Sequence, residues 1–334
     1  MTLKEATKIY HQLSSVAHID SGRILPNDTI LGNYKQRNFL EDKYNNFQKI
    51  FTNSANGQNQ KFTIPKNDSA ILSCFSESGK LQANILKSKK STEAKPEYNL
   101  EIIDFIGGNI LKCVRLENQK EANISFSSIV TSSTFGSLIF NEDETKLAFM
   151  VERKKPDSKN FDDFTENELD DADNEKLENE LTTAGQKNNW NESWGEQLQD
   201  NFRSILAIFD INTEKLTCHD YGEDYALSNP VFTASNDLIL ICENTKPFRL
   251  GRIYCSNKKS KIVRFNNCSG LFEDIYEDYS CVVSIIKCPA ESPSSDQNHP
   301  IFFFQERSIG FGPHWDCMKL NAFEYRVVLE KVYF

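Results

Sequence analysis

Apolar and polar positions recur along the chain as one unit: an apolar residue, a phenylalanine, a short polar turn and then an apolar run. Three copies of this unit are Cys74–Ala83 (CFSESGKLQA), Ile139–Phe149 (IFNEDETKLAF) and Val231–Leu240 (VFTASNDLIL). Short apolar runs on either side of polar turn residues are typical of a β-hairpin. Each unit therefore predicts two antiparallel strands.

A second unit, again strand, polar turn and strand, follows each copy of the first. Its copies are Leu100–Ile110, Leu206–Leu216 and, more loosely, Ile253–Val263. The two units together make a four-stranded antiparallel sheet of about 45 to 50 residues, which is the repeat of a β-propeller blade. The fold class predicted for the chain is all-β.

The repeats divide the chain into two parts: a helix with a lead-in at residues 1–50, and an incomplete β-propeller at residues 51–334. The propeller is predicted to have about four blades, where complete propellers have 4–8. The blades are expected at 69–116, 129–221, 229–276 and 280–334, and residues 155–200 interrupt the second. In the fourth blade, Ile301–Gln305 and Met318–Leu329 are the clearest strands.

The segment Leu3–Leu13 (LKEATKIYHQL) places its apolar residues on one face at helical spacing. It predicts a short amphipathic α-helix at the N-terminus. Two partners for its apolar face are open: the nearest blade, or another domain or subunit.

Negative charge is concentrated in one segment of the chain. The formal net charge is −10, and residues 157–180 hold eleven acids against Lys159 and Lys176. This balance argues against nucleic acid or an anionic membrane as a partner. The segment lacks the glycine and the final glutamate of a calcium-binding loop. A solvated loop or marginal helix is expected, and a charged screen over an opening is the alternative.

The chain has nine cysteines, an odd number, and no two of them form a C-x-x-C pair. Most lie within apolar runs, which is typical of reduced thiols in a cytoplasmic protein. Zinc sites need close pairs of ligands, so no metal and no cofactor are expected. The first twenty residues lack the apolar core of a signal peptide, and no run is long enough to cross a membrane.

Several catalytic motifs are missing from the sequence. No two of the 14 glycines lie four or five residues apart, which excludes the nucleophile elbow G-x-S-x-G and the P-loop. His314 and Cys317 lie on one segment, but residues three apart on an extended strand point to opposite faces, so a catalytic pair is not expected. The chain on its own is predicted to be inactive.

Three stretches together resemble a known family. They are Asn189–Glu196 (NWNESWGE), Pro247–Gly251 (PFRLG) followed by CSNKKS at 255–260, and Lys146–Pro156 before the acidic segment. In order and content they resemble the N-terminal half of the acylaminoacyl-peptidase family, in the prolyl oligopeptidase group. The resemblance runs from about Leu3 to about Leu320.

The resemblance implies a propeller that caps an α/β-hydrolase domain, with the N-terminal helix packed back on the hydrolase. It implies removal of an N-acylated residue from short peptides by a serine, an aspartate and a histidine of that hydrolase domain. Members of the family are expected to form homo-oligomers. No position of this chain matches a member of the triad, so the hydrolase domain is expected to be absent and no catalytic residue is assigned.

The candidate site residues are Trp194, Glu196, Phe248 and Arg249. Pro247 fixes its own φ angle and Gly251 permits a close approach of the backbone, so the connection is expected to hold one shape. Phe248 is expected to fill a space between blades, and Arg249 to pair with a carboxylate, for which Glu196 is the candidate. A structural role and a place in the wall of a substrate channel both fit these residues.

Two hypotheses for the function follow. In the first, the chain is the propeller portion of an acylaminoacyl-peptidase-like serine peptidase and controls which peptides enter. In the second, it is a non-catalytic binding or regulatory module that pairs with an intact peptidase or with another partner. A scaffold of the WD-repeat type fits the repeats, but no blade has the Gly-His and Trp-Asp signature.

Overall fold

The structure is a computed structural model of the 334-residue chain. It describes residues 2–14, 16–25, 29–39, 43–53, 59–65, 69–88, 97–105, 107–116, 124–154, 184–185, 192–199, 201–249, 252, 258–276, 281–288, 301–307 and 318–324. The chain forms two compact units, residues 1–117 and residues 118–334. Among the described residues, no helix has the length and apolar character needed to cross a membrane.

The predicted N-terminal helix is present as α1 (Leu3–Ser14). It begins with a reciprocal cap, because the amide of Glu5 donates to the Thr2 hydroxyl at 3.3 Å and the Thr2 amide donates to the Glu5 carboxylate at 2.7 Å. None of its side chains is buried. His11 contacts the ring of Phe39 with centroids 4.3 Å apart.

The first unit contains two four-stranded sheets, each antiparallel and in chain order. The first sheet is β1 (His18–Leu25), β2 (Thr29–Asn38), β3 (Lys43–Asn53) and β4 (Asn59–Pro65). The second sheet is β5 (Ala70–Phe75), β6 (Leu81–Ser88), β7 (Glu97–Asp104) and β8 (Asn109–Arg115).

The second unit contains three sheets, also antiparallel. The third sheet is β9 (Phe126–Ile129), β10 (Leu138–Phe140), β11 (Lys146–Arg153), β12 (Ser204–Asp210) and β13 (Lys215–His219), with β9 and β10 both paired to β11. The fourth sheet is β14 (Tyr225–Phe232), β15 (Leu238–Asn244), β16 (Ser260–Asn266) and β17 (Leu271–Tyr276). The fifth sheet is β18 (Cys281–Lys287), β19 (Ile301–Arg307) and β20 (Met318–Glu324).

The all-β prediction is confirmed, but the blade count is corrected: the residues that the structure describes form five blade-like sheets, not about four. Residues 18–65 are a full sheet and not a lead-in, and the expected boundary at residue 50 falls inside β3. The sequence hides this sheet because amides occupy inward positions of its strands. Asn33 and Gln48 face each other there, and the Gln48 amide donates to the Asn33 side-chain oxygen at 2.9 Å.

The three hairpin units found in the sequence share one turn interaction. The residue after the phenylalanine uses its side-chain oxygen to accept a backbone N–H from the far side of the turn. Ser76 accepts from Leu81 at 3.0 Å, Asn141 from Lys146 at 2.8 Å, and Thr233 from Asp237 at 3.1 Å. The equivalent contacts explain why different turn sequences close the same hairpin.

Within the fourth sheet, the strand β15 is buried on both faces. Along β15, Leu240 and Cys242 pack in one apolar layer with residues of the third sheet such as Met150. The alternate residues Ile239 and Ile241 pack in a second layer with the fifth sheet. Because side chains alternate across a strand, a continuous apolar run lets one strand serve both layers.

Acidic residues 157–180 belong to the connection between β11 and β12 and lie outside the described residues. Neither the loop nor the screen interpretation of that segment is therefore tested. The part of this connection that precedes β12 forms a short 3-10 helix at Glu196–Leu198.

We expect Leu240→Ala to destabilise the chain by about 2–5 kcal/mol, because it empties part of a fully buried layer. Leu271→Ala is the matched control: Leu271 is exposed on β17, and we expect a change under about 0.5 kcal/mol. Urea unfolding followed by circular dichroism measures both. Equal effects of the two substitutions would show that the layer does not stabilise the fold.

Candidate functional site

The connections that leave the third and fourth sheets meet at one end of these sheets. The register places the end of β11 beside the start of β12, with Glu152 opposite Ser204. It places the end of β15 beside the start of β16, with Glu243 opposite Ser260. We call this region the loop end, and it contains the stretches that mark the family resemblance.

Glu152, at the end of β11, holds the start of β12. Its Oε1 accepts the backbone N–H of Arg203 at 2.7 Å and of Phe202 at 3.2 Å. Its Oε2 is buried and has no hydrogen-bond partner among the described residues. Burial raises the pKa of Glu152, although the two backbone donors oppose the shift.

Arg249, in the connection between β15 and β16, ties the fourth sheet to the third. Its Nε donates to the carbonyl oxygen of Phe202 at 3.0 Å. Its backbone N–H donates to the carboxylate of Glu192 at 2.6 Å. Burial lowers the pKa of Arg249, and the nearby carboxylates of Glu192 and Glu152 counteract this. The guanidinium is therefore held at one position above the loop end.

Asp220 joins two further guanidiniums at the same end. Its Oδ2 accepts from both Arg153 and Arg203. Burial and the charge of Arg153 lower the pKa of Arg203. A single carboxylate thus holds two guanidiniums near Arg249, and guanidiniums are well suited to bind carboxylates and carbonyl oxygens.

A buried ion pair lies at the end of β15. Arg252 donates to both oxygens of Glu243, at 2.6 and 2.8 Å from its Nε. Both side chains are buried. Separating the two side chains would leave a buried charge without a partner, which is costly. The ion pair therefore fixes Arg252, and with it the connection that includes Arg249.

The structure separates the predicted site residues. Trp194 is buried against Phe135, with ring centroids 5.0 Å apart, so its indole is part of the apolar layer. Glu196 begins the 3-10 helix, but its side chain lies outside the described part of the structure, as does Gly251. The predicted pairing of Arg249 with Glu196 therefore stays a prediction.

The expectation for Phe248 is wrong. Its side chain is 47% exposed and does not fill a space between blades. The ammonium of Lys258 lies 3.6 Å from the centre of its ring and also donates to its backbone carbonyl oxygen. A cation over an aromatic face stabilises the ring. The Lys258 contact therefore accounts for a Phe248 ring that lies at the surface, although the sequence predicted that it would be buried.

Sequence reasoning missed Glu152, Glu192, Arg203 and Asp220. Glu192 lies inside the stretch Asn189–Glu196 and could have been proposed with Glu196. Glu152 directly follows the apolar run Leu147–Val151 of β11, and this position is the only sign in the sequence that its side chain is buried. The described residues include no group of three or more metal-ligating side chains. The described side chains of the loop end are suited to hold and bind polar groups.

We expect the stability of the wild type relative to Glu152→Gln to fall as pH rises. The folded-state pKa of Glu152 lies above its unfolded value, so protonated Glu152 favours the folded state, and this advantage is lost as pH rises through the folded pKa. Gln keeps the acceptor for Phe202 and Arg203 but cannot ionise. The measurement is the urea midpoint of wild type and of Glu152→Gln at pH 5 and at pH 7.5. Raising the pH should lower the midpoint of the wild type relative to that of the variant.

The control for this pH series is Glu77→Gln, in an exposed hairpin turn. It removes one carboxylate from the surface without touching the loop end. If the urea midpoints of Glu152→Gln and Glu77→Gln change with pH in the same way, ionisation of the buried Glu152 carboxyl does not affect the stability of the fold.

Sequence comparison relates the chain to known proteins. The family model described as "Acylamino-acid-releasing enzyme, N-terminal domain" matches residues 16–275. The chain is 22% identical to the acylamino-acid-releasing enzyme of Mus musculus over 268 residues, which cover 76% of this chain and 34% of that protein. It is 22% identical to the Homo sapiens enzyme over 266 residues, with the same coverage. The chain thus spans about a third of the length of these relatives.

Structure comparison finds propellers of similar proteins at low identity. Pyrococcus horikoshii acylaminoacyl peptidase matches with a TM-score of 0.49 and 11% identity, over 94% of this chain and 39% of that one. The β-propeller domain of the Trilobed protease from Pyrococcus furiosus matches with a TM-score of 0.45 and 13% identity, over 96% of this chain and 70% of that one. The assignment rests on the family domain and not on these likenesses. Because the family model matches residues 16–275, most of the chain, the chain belongs to the family of acylamino-acid-releasing enzymes, as their N-terminal domain.

Proposed function

We propose that the chain is the propeller portion of a serine peptidase that releases N-acylated residues, acetylated ones in particular, from short peptides. The observation that carries this proposal is the match of residues 16–275 to the N-terminal domain of acylamino-acid-releasing enzymes. The acyl transfer itself would use an activated serine in a hydrolase domain. That domain would lie in the part of the relatives that this chain does not span.

The part played by the propeller in this proposal is to admit short peptides and exclude folded proteins. The loop end supports it, because Arg249 and Arg203 are fixed there by backbone contacts and by Asp220. Guanidiniums held in place lose little entropy when they contact the carbonyl or carboxylate oxygens of a peptide. Arg249 is then part of the wall that a peptide passes.

A second candidate function is a non-catalytic module that pairs with an intact peptidase or with another protein. The exposed apolar residues on α1, among them Leu3 and Leu13, favour a partner of some kind. In either case we place the protein in the cytoplasm. The seven described cysteines are free thiols, which fits a reducing compartment.

The test is to label an extract of the source cells with a fluorophosphonate probe, which reacts with active serine hydrolases. An antibody against a peptide of residues 157–180 then captures the polypeptide for gel analysis. We expect a labelled band well above the 38.3 kDa of this chain, because the reactive serine belongs to the same larger polypeptide. Pretreatment with excess unlabelled probe is the control and should abolish the signal.

An unlabelled band near 38.3 kDa would contradict the peptidase proposal. The cell would then make this chain by itself, and the second candidate, a binding module, would take its place.

A further inference from the structure

Arg249 presents hydrogen-bond donors that the fold does not use. Its Nε donates to the carbonyl oxygen of Phe202 at 3.0 Å, and its backbone N–H donates to the Glu192 carboxylate at 2.6 Å. Its Nη1 and Nη2 atoms make no hydrogen bond to the described residues. Because a guanidinium is planar and rigid, a fixed Nε also fixes the directions of these two groups. They remain available to a ligand.

Glu192 presents a hydrogen-bond acceptor beside Arg249. Its Oε2 accepts the backbone N–H of Arg249, and within the described part of the chain its Oε1 accepts no hydrogen bond. The residue is only partly buried, so a ligand can reach this oxygen. Donors and an acceptor side by side suit a group that both accepts and donates. The amide unit of a peptide is such a group, since its C=O accepts and its N–H donates.

The charges around Arg249 favour a neutral ligand group. The carboxylates of Glu192, Glu152 and Asp224 all counteract the burial of its guanidinium. A carboxylate brought in by a ligand would meet the repulsion of these three groups. The main-chain amide of a peptide carries no net charge and avoids this repulsion. The site is therefore better suited to the middle of a peptide than to its charged C-terminus.

Phe248 presents one face of its ring to solvent next to this site. Lys258 is buried, and its ammonium lies 3.6 Å from the centre of the ring. The same ammonium donates to the backbone carbonyl oxygen of Phe248. Lys258 therefore covers one face of the ring and holds the residue in place, while the side chain remains 47% exposed. An aromatic ring held in this way can pack against an apolar side chain, and best against another ring.

The two features lie within the reach of one short peptide. Arg249 contacts Phe202 of the third-sheet connection, whereas the ring of Phe248 lies over Lys258, so the two side chains extend in different directions. Their Cα atoms are consecutive and about 3.8 Å apart. An extended peptide advances about 3.3 Å per residue. Two or three of its residues therefore reach from one feature to the other.

We propose that Arg249 and Glu192 bind a main-chain amide unit of a peptide, and that Phe248 receives an apolar side chain of the same peptide, an aromatic one in particular. The inference rests on the proposed function, whose short peptides are the ligands. It adds the residues that hold these peptides and the side chain that they prefer. Binding to the chain can be measured without peptidase activity.

The test titrates the full 334-residue chain with trifluoroacetyl-Ala-Phe-Ala-amide, a neutral peptide whose fluorine NMR line broadens on binding. The titration extends to about 5 mM, which covers weak affinities. We expect the peptide to bind about three- to tenfold more tightly than trifluoroacetyl-Ala-Ala-Ala-amide, because its ring packs on Phe248. Methylation of every backbone nitrogen removes the donors to Glu192 and should weaken binding about tenfold or more.

Variants assign these effects to the three residues. Phe248→Ala should abolish the difference between the phenylalanine and alanine peptides, and Arg249→Met should weaken the binding of both. Glu192→Gln keeps an acceptor oxygen and should retain most of the affinity, whereas Glu192→Leu should remove the effect of methylation. Arg115→Met makes the same change as Arg249→Met at an exposed position of β8, and this control should bind as the wild type does.

Circular dichroism melts show whether each variant is folded. If Arg249→Met does not fold, the methylated peptide tests the same hydrogen bonds in the wild type. Failure of the phenylalanine peptide to bind the wild type up to about 5 mM would overturn the proposal. Binding that Phe248→Ala and Arg249→Met both leave unchanged would also overturn it, because the peptide would then lie elsewhere.

These results are separate from the test of the proposed function. A labelled band well above 38.3 kDa together with no peptide binding would contradict this site and leave the peptidase proposal in place. An unlabelled band near 38.3 kDa together with the expected binding would contradict the peptidase proposal and support the site.

Discussion

The burial of β15 on both of its faces is the constraint on which the second unit depends. β15 has no polar face over residues 238–242, and its side chains alternate there between the layer shared with the third sheet and the layer shared with the fifth. Loss of either neighbour would expose a continuous apolar surface. The strand pairing of the whole unit is therefore tied to these two layers, and a shift of one residue in register would exchange them.

The loop end uses this frame to hold charged groups in place. Arg249 can bond the Phe202 carbonyl because the two apolar sheets below bring their connections together. Glu152 and Asp220 then fix the neighbouring backbone and guanidiniums. Membership of the acylamino-acid-releasing enzyme family relates this frame to the N-terminal domain of those enzymes.

The sequence predicted most of the fold because its hairpins have local signals. A phenylalanine followed by Ser76, Asn141 or Thr233 marks each turn, and the same side chains close the turns in the structure. The first sheet was missed because amides such as Asn33 and Gln48 occupy inward positions of its strands and interrupt the apolar pattern. In the candidate site, the stretch PFRLG drew attention to Arg249, but the contacts of Arg249 are made across sheets and follow only from tertiary structure.

The most direct test of the central claim is hydrogen exchange of the chain, measured by mass spectrometry on peptides from each strand. The account predicts that amides of β15 and β16 exchange most slowly, because β15 is buried on both faces and β16 is paired to it, so their opening requires the two apolar layers to separate. It predicts faster exchange in β1, whose side chains are almost all exposed. Exchange in β15 and β16 as fast as in β1 would contradict the account.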